Sequence, residues 1–298
     1  MKMTSWPLLA VLFAVLPLSA QIPDAKPASH AQESATEAKT LAPADVEQVL
    51  QRIYGYDSSI QWKILRVRNA PIPGMTEVLM SMNNEFKRLF ITADGRYGII
   101  GDWMPFGPDP YGPAREKLRA ADGISRGPER PAVVMVEFSD LQCPHCKMVQ
   151  PVLERLAADF HQMKIVFQQY PMPKHLWAGT AARYADCAGR MNNAAALKFI
   201  VAVYENQDEI LQATADEKLK GLAQTAGLDA EKLSACAATP AAEAQVKKSM
   251  ALADSLGILG TPSIFVNGRL LEPVPDASDA SYERVKKIVQ YEIEHAGK

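Results

Sequence analysis

Two cysteines separated by two residues stand where a strand-like apolar run gives way to a helical pattern. The motif Cys143-Pro144-His145-Cys146 follows the apolar run 132–138 and opens the helical pattern 147–153. Backbone amides and the macrodipole at a helix N-terminus favour negative charge on the first sulfur, and the thiolate is the reactive form of cysteine. The stretch therefore predicts dithiol–disulfide chemistry.

The first twenty residues are typical of a secretory signal. Lys2 supplies a positive start, residues 6–18 are apolar, and Leu18-Ser19-Ala20 ends in small residues before Gln21. We expect cleavage after Ala20. Because Leu18 is not ideal at its position, an uncleaved membrane anchor is the alternative. The expected location is the periplasm or another exported compartment.

Length and charge restrict the class of protein. The chain has 298 residues, which allow one large domain or two smaller ones. Hydrophobic residues make up 48% and charged residues 22%, as in a soluble globular protein with a core. The formal net charge of -2 leaves no basic footprint, so nucleic acid is not an expected partner.

Four cysteines allow three disulfide pairings. In an oxidising compartment an even number suggests disulfides, and we favour Cys143–Cys146 with Cys187–Cys236. A zinc site would need two further ligands, and the last two cysteines lie far apart with no second Cys-x-x-Cys. A c-type haem site needs His after the second cysteine, where this chain has Lys147. We therefore expect no metal and no bound cofactor.

Composition divides the remainder of the chain into four segments. Residues 21–42 are small and polar and predict a disordered tether. Residues 43–107 combine a helical pattern with strands and a hairpin, which indicates a small α+β unit. Residues 108–130 contain four prolines and predict a partly helical connector. Residues 131–298 form the larger domain.

The larger domain begins with a strand, a helix and a second strand at 163–167. A long helical region follows at 175–255, with breaks expected near Asn206, Gly227 and Pro240. A hairpin around Asn267-Gly268 and a closing helix at 278–295 complete the chain.

This order and two motifs resemble the thioredoxin superfamily. The segment 137–148 is similar to its active-site segment, closest to the DsbA-like exported oxidoreductases, which often carry Pro-His between the cysteines. Residues 260–268, Gly-Thr-Pro-Ser-Ile-Phe-Val-Asn-Gly, are similar to the family's cis-Pro loop and the hairpin after it. The resemblance covers 131–298. It implies an α/β thioredoxin fold with a helical insertion, preceded here by a small α+β domain.

The resemblance assigns roles around the two cysteines. Cys143 would be the partly exposed nucleophile and Cys146 the buried resolving thiol. His145 would help to stabilise the thiolate, with a solvent-facing spacer as its alternative, and Pro144 would shape the turn. A low pKa of Cys143 would make it a good leaving group and the disulfide oxidising.

Three more residues complete the expected site. The resemblance implies a cis bond before Pro262, which would face the disulfide and present the Thr261 backbone to a substrate strand. Glu137 occupies the position of a buried acid thought to help proton transfer at the resolving cysteine. A partly solvated glutamate at a strand end is the alternative reading.

DsbA-like sequences often carry a second cysteine pair in the helical insertion. By that resemblance, Cys187 and Cys236 would form a structural disulfide that joins two helices of the insertion. A second redox-active pair is the alternative.

The N-terminal unit resembles the dimerisation domain of the DsbC/DsbG disulfide isomerases, through residues 70–78 and 89–97. This implies a possible homodimer through 43–107. The expected activity is thiol:disulfide exchange with cysteine-containing proteins, served by a membrane or soluble redox partner. We rank oxidase first, because of Pro-His, and isomerase or reductase second. A non-redox peptide-binding chaperone is the alternative from another class.

Overall fold

The computed structural model describes residues 41–83, 85–102, 104–272 and 275–295. The signal expected at 1–20 and nearly all of the tether expected at 21–42 lie outside these ranges. The chain divides into two compact units between residues 103 and 104, and each is described here by itself. None of the helices within the described ranges combines the length and apolar character that crossing a bilayer requires.

The first unit packs one helix on an antiparallel sheet with the strand order β1-β2-β3-β4. Its described elements are α1 (Pro43–Tyr54), β1 (Trp62–Asn69), β2 (Met75–Met82), β3 (Glu85–Thr92) and β4 (Gly98–Ile100). Val46 and Leu50, one turn apart on α1, pack with Val78 and Met80, which alternate along β2. The segment 43–107 thus contains one helix and four strands among its described residues.

The second unit is built around a mixed sheet that, over the described residues, has the strand order β5-β7-β6-β8-β9. Its strands are β5 (Ile124–Arg126), β6 (Val133–Ser139), β7 (Met163–Gln169), β8 (Ser263–Val266) and β9 (Arg269–Leu270). Its helices are α2 (Gly112–Leu118), α3 (Pro144–Asp159), α4 (Ala178–Met191), α5 (Asn193–Glu205), α6 (Ala215–Thr225), α7 (Ala230–Ala237), α8 (Pro240–Ser255) and α9 (Asp279–Glu294).

Strand β6 is the centre of this sheet and leads directly to the cysteine motif. It runs parallel to β7 and antiparallel to β8. On one face Met135 packs with Val149 of α3 and Val285 of α9. On the other face Phe138 packs with Ala253 of α8. Burial on both faces explains why β6 is an almost continuous apolar run.

The segment expected to be a connector, 108–130, instead belongs to the second unit. Its strand β5 pairs antiparallel with β7, with Ile124 opposite Phe167. Three residues are too few to show an alternating pattern, which is why the sequence did not predict this strand.

The long helical region is interrupted at the three places expected from the sequence and at one more. The unexpected break lies between α4 and α5, where the Asn192 side chain accepts a hydrogen bond from the Ala195 amide. Asparagine is a favoured N-cap, because its side-chain oxygen satisfies a free amide of the first turn.

Candidate active site

Cys143 stands immediately before the first residue of α3. Its backbone is extended, and Pro144 occupies the first helical position, where a missing N–H has no consequence. The carbonyl of Cys143 accepts hydrogen bonds from the amides of Cys146 and Lys147, at 3.1 and 3.2 Å. Cys146 therefore lies one turn into the helix, with its sulfur close to that of Cys143.

The site stabilises negative charge on Cys143. Its pKa falls from 9.0 to about 5, first because the Cys146 thiol donates a hydrogen bond to it, then because of the Cys146 amide, the Thr261 side chain and the His145 amide. Burial opposes this shift. The contribution of residue 145 comes from its backbone, while its side chain is exposed.

Cys143 is more buried than the sequence analysis expected, with 5% of its surface exposed. Its sulfur lies 3.5 Å from the carbonyl oxygen of Thr261, and its side chain belongs to the packed cluster that contains Leu141 and Trp177. The expectation of a partly exposed Cys143 was therefore wrong, because the loop before β8 and the helical insertion close around this thiol.

Cys146 has the opposite electrostatics. It is fully buried, and burial together with the neighbouring Cys143 raises its pKa well above 9.0. The Asp140 amide donates a long hydrogen bond of 3.5 Å to its sulfur. Two thiols one helical turn apart therefore differ sharply in acidity, as required of a nucleophile and a resolving thiol.

The loop before β8 supplies the other side of the site. The Thr261–Pro262 peptide bond is cis, and Pro262 is buried while Thr261 is half-buried. Thr261 contacts Cys143 through its backbone oxygen. The structure thus brings the cis-Pro loop at 260–268 into contact with the Cys-Pro-His-Cys motif, although more than a hundred residues separate them in the sequence.

Glu137 lies beneath the cysteines with 1% of its surface exposed, so of the two readings of this residue the buried acid applies. Burial raises its pKa to about 7. Hydrogen bonds from Ser139 Oγ at 2.7 Å and Gln150 Nε2 at 3.0 Å reduce this shift. A carboxyl group with this pKa can release or accept a proton near neutral pH.

Gln150 connects the carboxyl group to the cysteine helix. Its Nε2 donates to the Glu137 carboxylate and also to the carbonyl of Cys146, both at 3.0 Å. The sequence analysis did not single out Gln150. Its position four residues after Cys146 places it on the same face of α3, and that spacing was the available signal.

Ser139 connects the Glu137 carboxyl group to the helical insertion through a further hydrogen bond. Its hydroxyl lies 2.8 Å from the hydroxyl of Tyr204 on α5. Burial is the main cause that raises the pKa of Tyr204 well above 10.0, so its hydroxyl remains protonated. Neither residue was predicted, because nothing in the sequence shows that α5 folds over the end of β6.

Asp140 fixes the loop between β6 and α3. Its buried carboxylate accepts hydrogen bonds from the amides of Gln142 and Met172, both at 2.7 Å, and lies 2.7 Å from His175 Nδ1. A second anchor comes from the insertion, where Gln207 Nε2 donates to the carbonyls of Leu141 and Cys143. These side chains, also missed in the sequence, hold the position of Cys143.

The second cysteine pair lies inside the helical insertion. The structure pairs Cys187 of α4 with Cys236 of α7 in a disulfide. The Arg190 guanidinium approaches both sulfurs, at 3.2 and 3.6 Å. Over the described ranges, no three histidine, cysteine or acidic side chains are placed so as to bind a metal ion together.

Comparison with known proteins identifies the family. A family model described as Thioredoxin matches residues 119–290. The Na(+)/H(+) antiporter NhaA 1 of Salinispora arenicola is 29% identical over 176 residues, 58% of this chain and 24% of the antiporter. The chain thus spans about a quarter of the length of this relative. The probable disulfide bond formation protein D of Bacillus cereus is 24% identical over 219 residues, 69% of this chain and 91% of that protein.

A solved structure supports the fold. The thiol-disulfide exchange protein alpha-DsbA2 from Wolbachia pipientis superposes with a TM-score of 0.52 at 20% identity, and the match covers 62% of this chain and 99% of that chain. The expected fold class, a thioredoxin fold with a helical insertion and a small N-terminal α+β unit, is confirmed. Because the matched family model covers more than half of its length, this chain belongs to the thioredoxin family.

Proposed function

We propose that this protein is a thiol-disulfide oxidoreductase that forms or rearranges disulfides in polypeptides through Cys143 and Cys146. The observation that carries the proposal is the unequal acidity of the two thiols: the pKa of Cys143 is about 5, and that of Cys146 is well above 9.0. The name of the Bacillus cereus relative points to the same chemistry.

Oxidation of a substrate proceeds in two exchanges. A substrate thiolate attacks Cys143 Sγ of the Cys143–Cys146 disulfide; a mixed disulfide forms, and Cys146 leaves as a thiolate. The second substrate thiolate then attacks the substrate sulfur of the mixed disulfide, and Cys143 leaves as a thiolate. The substrate loses two electrons and gains a disulfide, and the protein is left as the dithiol.

The surrounding side chains serve specific steps. Cys146 leaves into a buried environment that disfavours its charge, so it must take a proton. The buried Glu137 carboxyl group, whose pKa is about 7, is the group that would supply it. Gln150, which donates to Glu137 and to the Cys146 carbonyl, holds the carboxyl group beside the helix. The Thr261 backbone beside Cys143 is the surface on which a substrate strand would lie.

The preferred direction of disulfide exchange follows from the acidity of the leaving thiol, Cys143. A thiolate of low pKa leaves readily and stabilises the reduced protein, which makes the Cys143–Cys146 disulfide a good oxidant. We therefore rank the oxidase first. The dithiol must then return its two electrons to a membrane or soluble disulfide-containing partner. Isomerase or reductase activity is the second candidate, favoured by the resemblance of the N-terminal unit and by the dimer it implies. A dimeric mass in solution would support that candidate.

Export belongs to the same proposal. The signal-like residues 1–20 would place the protein in the periplasm or another exported compartment, where clients with free thiols emerge. In such a compartment a strongly oxidising Cys143–Cys146 disulfide could oxidise the free thiols of these clients.

Trapping of a mixed disulfide tests the proposal. In the variant Cys146→Ala the resolving thiol is absent, so incubation of oxidised client peptide with the reduced variant should leave a covalent adduct on Cys143. The adduct should disappear on addition of dithiothreitol and should not form in the double variant Cys143→Ala/Cys146→Ala. A peptide-binding chaperone without redox chemistry would retain the client without any covalent link, and that result would refute the proposal.

A further inference from the structure

A trough in the second unit runs from the protein surface to Glu137. It has a volume of about 360 Å³, its floor is one face of the sheet, and its walls are the helices α3 and α5. One water molecule occupies about 30 Å³ in the liquid, so the trough is wide enough for several. Its lining shares Glu137 and Gln150 with the site described above.

The strand register explains why the floor residues lie on the same face of the sheet. Glu137 of β6 lies beside Phe167 of β7, and Phe167 lies beside Ile124 of β5. Residues that are directly opposite one another in neighbouring strands project to the same face. Arg126 follows Ile124 by two residues and therefore projects to that face as well. All four residues line the trough.

The outer end of the trough is open to solvent and carries an ion pair. Arg126 donates a hydrogen bond of 2.5 Å to Glu154 of α3, and the two side chains are 26% and 55% exposed. On the opposite wall, Val201 of α5 is 45% exposed. The lining thus changes from exposed residues at this end to the buried Glu137 at the other.

The groups that surround Glu137 away from the trough are buried. They are Cys146, Ser139, which donates a hydrogen bond to the carboxyl group, and Tyr204. A carboxyl group that gives its proton to Cys146 must regain one before the next turnover. Since these neighbours separate it from water, the trough is the side from which solvent reaches it.

We propose that this trough is the route by which Glu137 exchanges its proton with solvent, an inference that rests on the proposed redox function. When Cys146 leaves as a thiolate, it takes the proton of the Glu137 carboxyl group. A hydronium ion in the trough then protonates the carboxylate and is left as water. When the Cys146 thiol attacks a mixed disulfide, the same two transfers run in reverse. One proton moves in each case, and no electron does.

The charges around the trough are compatible with this role. The titratable groups that face Glu137 or the trough are Cys146 and Glu154 of α3, Arg126 of β5, and Lys198, Tyr204 and Glu205 of α5. Burial raises the pKa of Glu137 to about 7, and the charge of Arg126 acts in the opposite direction. Both forms of the carboxyl group are therefore populated near neutral pH, so it can accept and release a proton there.

Chemical rescue of the variant Glu137→Ala tests the route. Acetate should enter through the trough, take the place of the missing carboxylate and accelerate the slow resolving step, saturably and by about tenfold or more. Acetamide has a similar shape and no basic carboxylate, so it should not accelerate this step. Stopped-flow decay of the mixed disulfide at increasing concentrations of each compound measures both effects.

A larger side chain at the outer end should close the route. Adding Val201→Trp to Glu137→Ala should abolish the rescue by acetate, because Val201 lines the trough. Ala194→Trp is the matched control, since Ala194 is exposed on the same helix and is not part of the lining. It should leave the rescue unchanged. Absence of rescue, equal rescue by acetamide, or full rescue in the presence of Val201→Trp would each overturn the inference.

A second measurement applies if Glu137→Ala fails to fold. In Val201→Trp alone, proton uptake followed with a pH indicator should lag behind disulfide formation in a peptide, whereas the two should coincide in the natural chain and in Ala194→Trp. Coincidence in Val201→Trp would also overturn the inference. If Cys146→Ala still forms its covalent adduct while these tests fail, only the proton route is wrong. If the adduct does not form, the redox function itself is wrong.

Discussion

The two cysteine pairs lie in the same unit and differ in almost every physical respect. Cys143 and Cys146 are free thiols within one turn of α3, and backbone amides and the Cys146 thiol stabilise charge on Cys143. Cys187 and Cys236 join two helices across 49 residues in a disulfide. Proximity of two sulfurs alone therefore does not distinguish a reactive pair from a structural disulfide. Reactivity requires, in addition, donors aimed at one sulfur and a proton-transfer group beside the other.

The largest expected difference between the pairs is catalytic. Replacement of Cys143 by Ser should reduce the oxidation of a two-cysteine peptide to the uncatalysed rate, because no other thiol is stabilised as a thiolate at this position. The double variant Cys187→Ala/Cys236→Ala should keep the rate of the natural chain. Peptide oxidation followed by mass spectrometry measures both. If the double variant also lost its activity, the second pair would be redox-active and the comparison would fail.

Acidity is the next measurable contrast. Cys143 should react with iodoacetamide with a midpoint near pH 5, whereas Cys146 should remain unreactive through neutral pH. Because the folded pKa of Cys143 is depressed, its contribution to the stability of the reduced protein is full above the unfolded pKa of about 8.5 and is lost as the pH falls through about 5. Denaturant midpoints of the reduced protein between these pH values report this trend. A Cys143 that titrates like free cysteine would contradict it.

The second pair should matter for stability instead. Removal of the Cys187–Cys236 disulfide in the double alanine variant should lower the free energy of unfolding by about 2–4 kcal/mol, since the unfolded chain gains conformational freedom. Urea unfolding under non-oxidising conditions compares this variant with the natural chain. Arg190 lies beside both sulfurs and would stabilise a thiolate there. Ready reduction of this disulfide by glutathione would therefore be evidence for the redox-active alternative.

Glu137 belongs only to the reactive pair. In Glu137→Gln the resolving step, in which Cys146 attacks the mixed disulfide in the reverse of its departure, should slow by about 100-fold or more, because general acid–base catalysis by a positioned side chain is lost. The step should also lose its pH dependence around 7, the pKa of this carboxyl group. Stopped-flow decay of the mixed disulfide across the pH range measures both effects. An unchanged profile would assign Glu137 a structural role.

Much of this site could be predicted from sequence because short motifs define local geometry. Cys-Pro-His-Cys before a helical pattern implied the helix N-terminus, and the resemblance of residues 260–268 to the family's cis-Pro loop implied the cis bond found before Pro262. The side chains that position the motif could not be predicted. Asp140, His175 and Gln207 act through contacts between segments that only folding brings together. The burial of Cys143 was missed for the same reason.

Substitution of Gln150 should give the smallest of these effects. It tests the proton-transfer group that the Cys143–Cys146 pair has and the Cys187–Cys236 pair lacks. Gln150 Nε2 stabilises the charged form of Glu137, so Gln150→Met should raise the pKa of that carboxyl group further above 7, and the pH at which the resolving step is half-maximal should rise with it. The hydrogen bond to a charged group implies a change of about 1.5–3 kcal/mol or less. Gln150→Glu should also raise the pKa of Glu137, because it places a second carboxyl group beside the first. Gln224→Met, at an exposed position of α6, should leave that pKa unchanged. If the pH dependence of the resolving step were the same in Gln150→Met as in the natural chain, the hydrogen bond from Ser139 alone would be sufficient to position Glu137 beside Cys146.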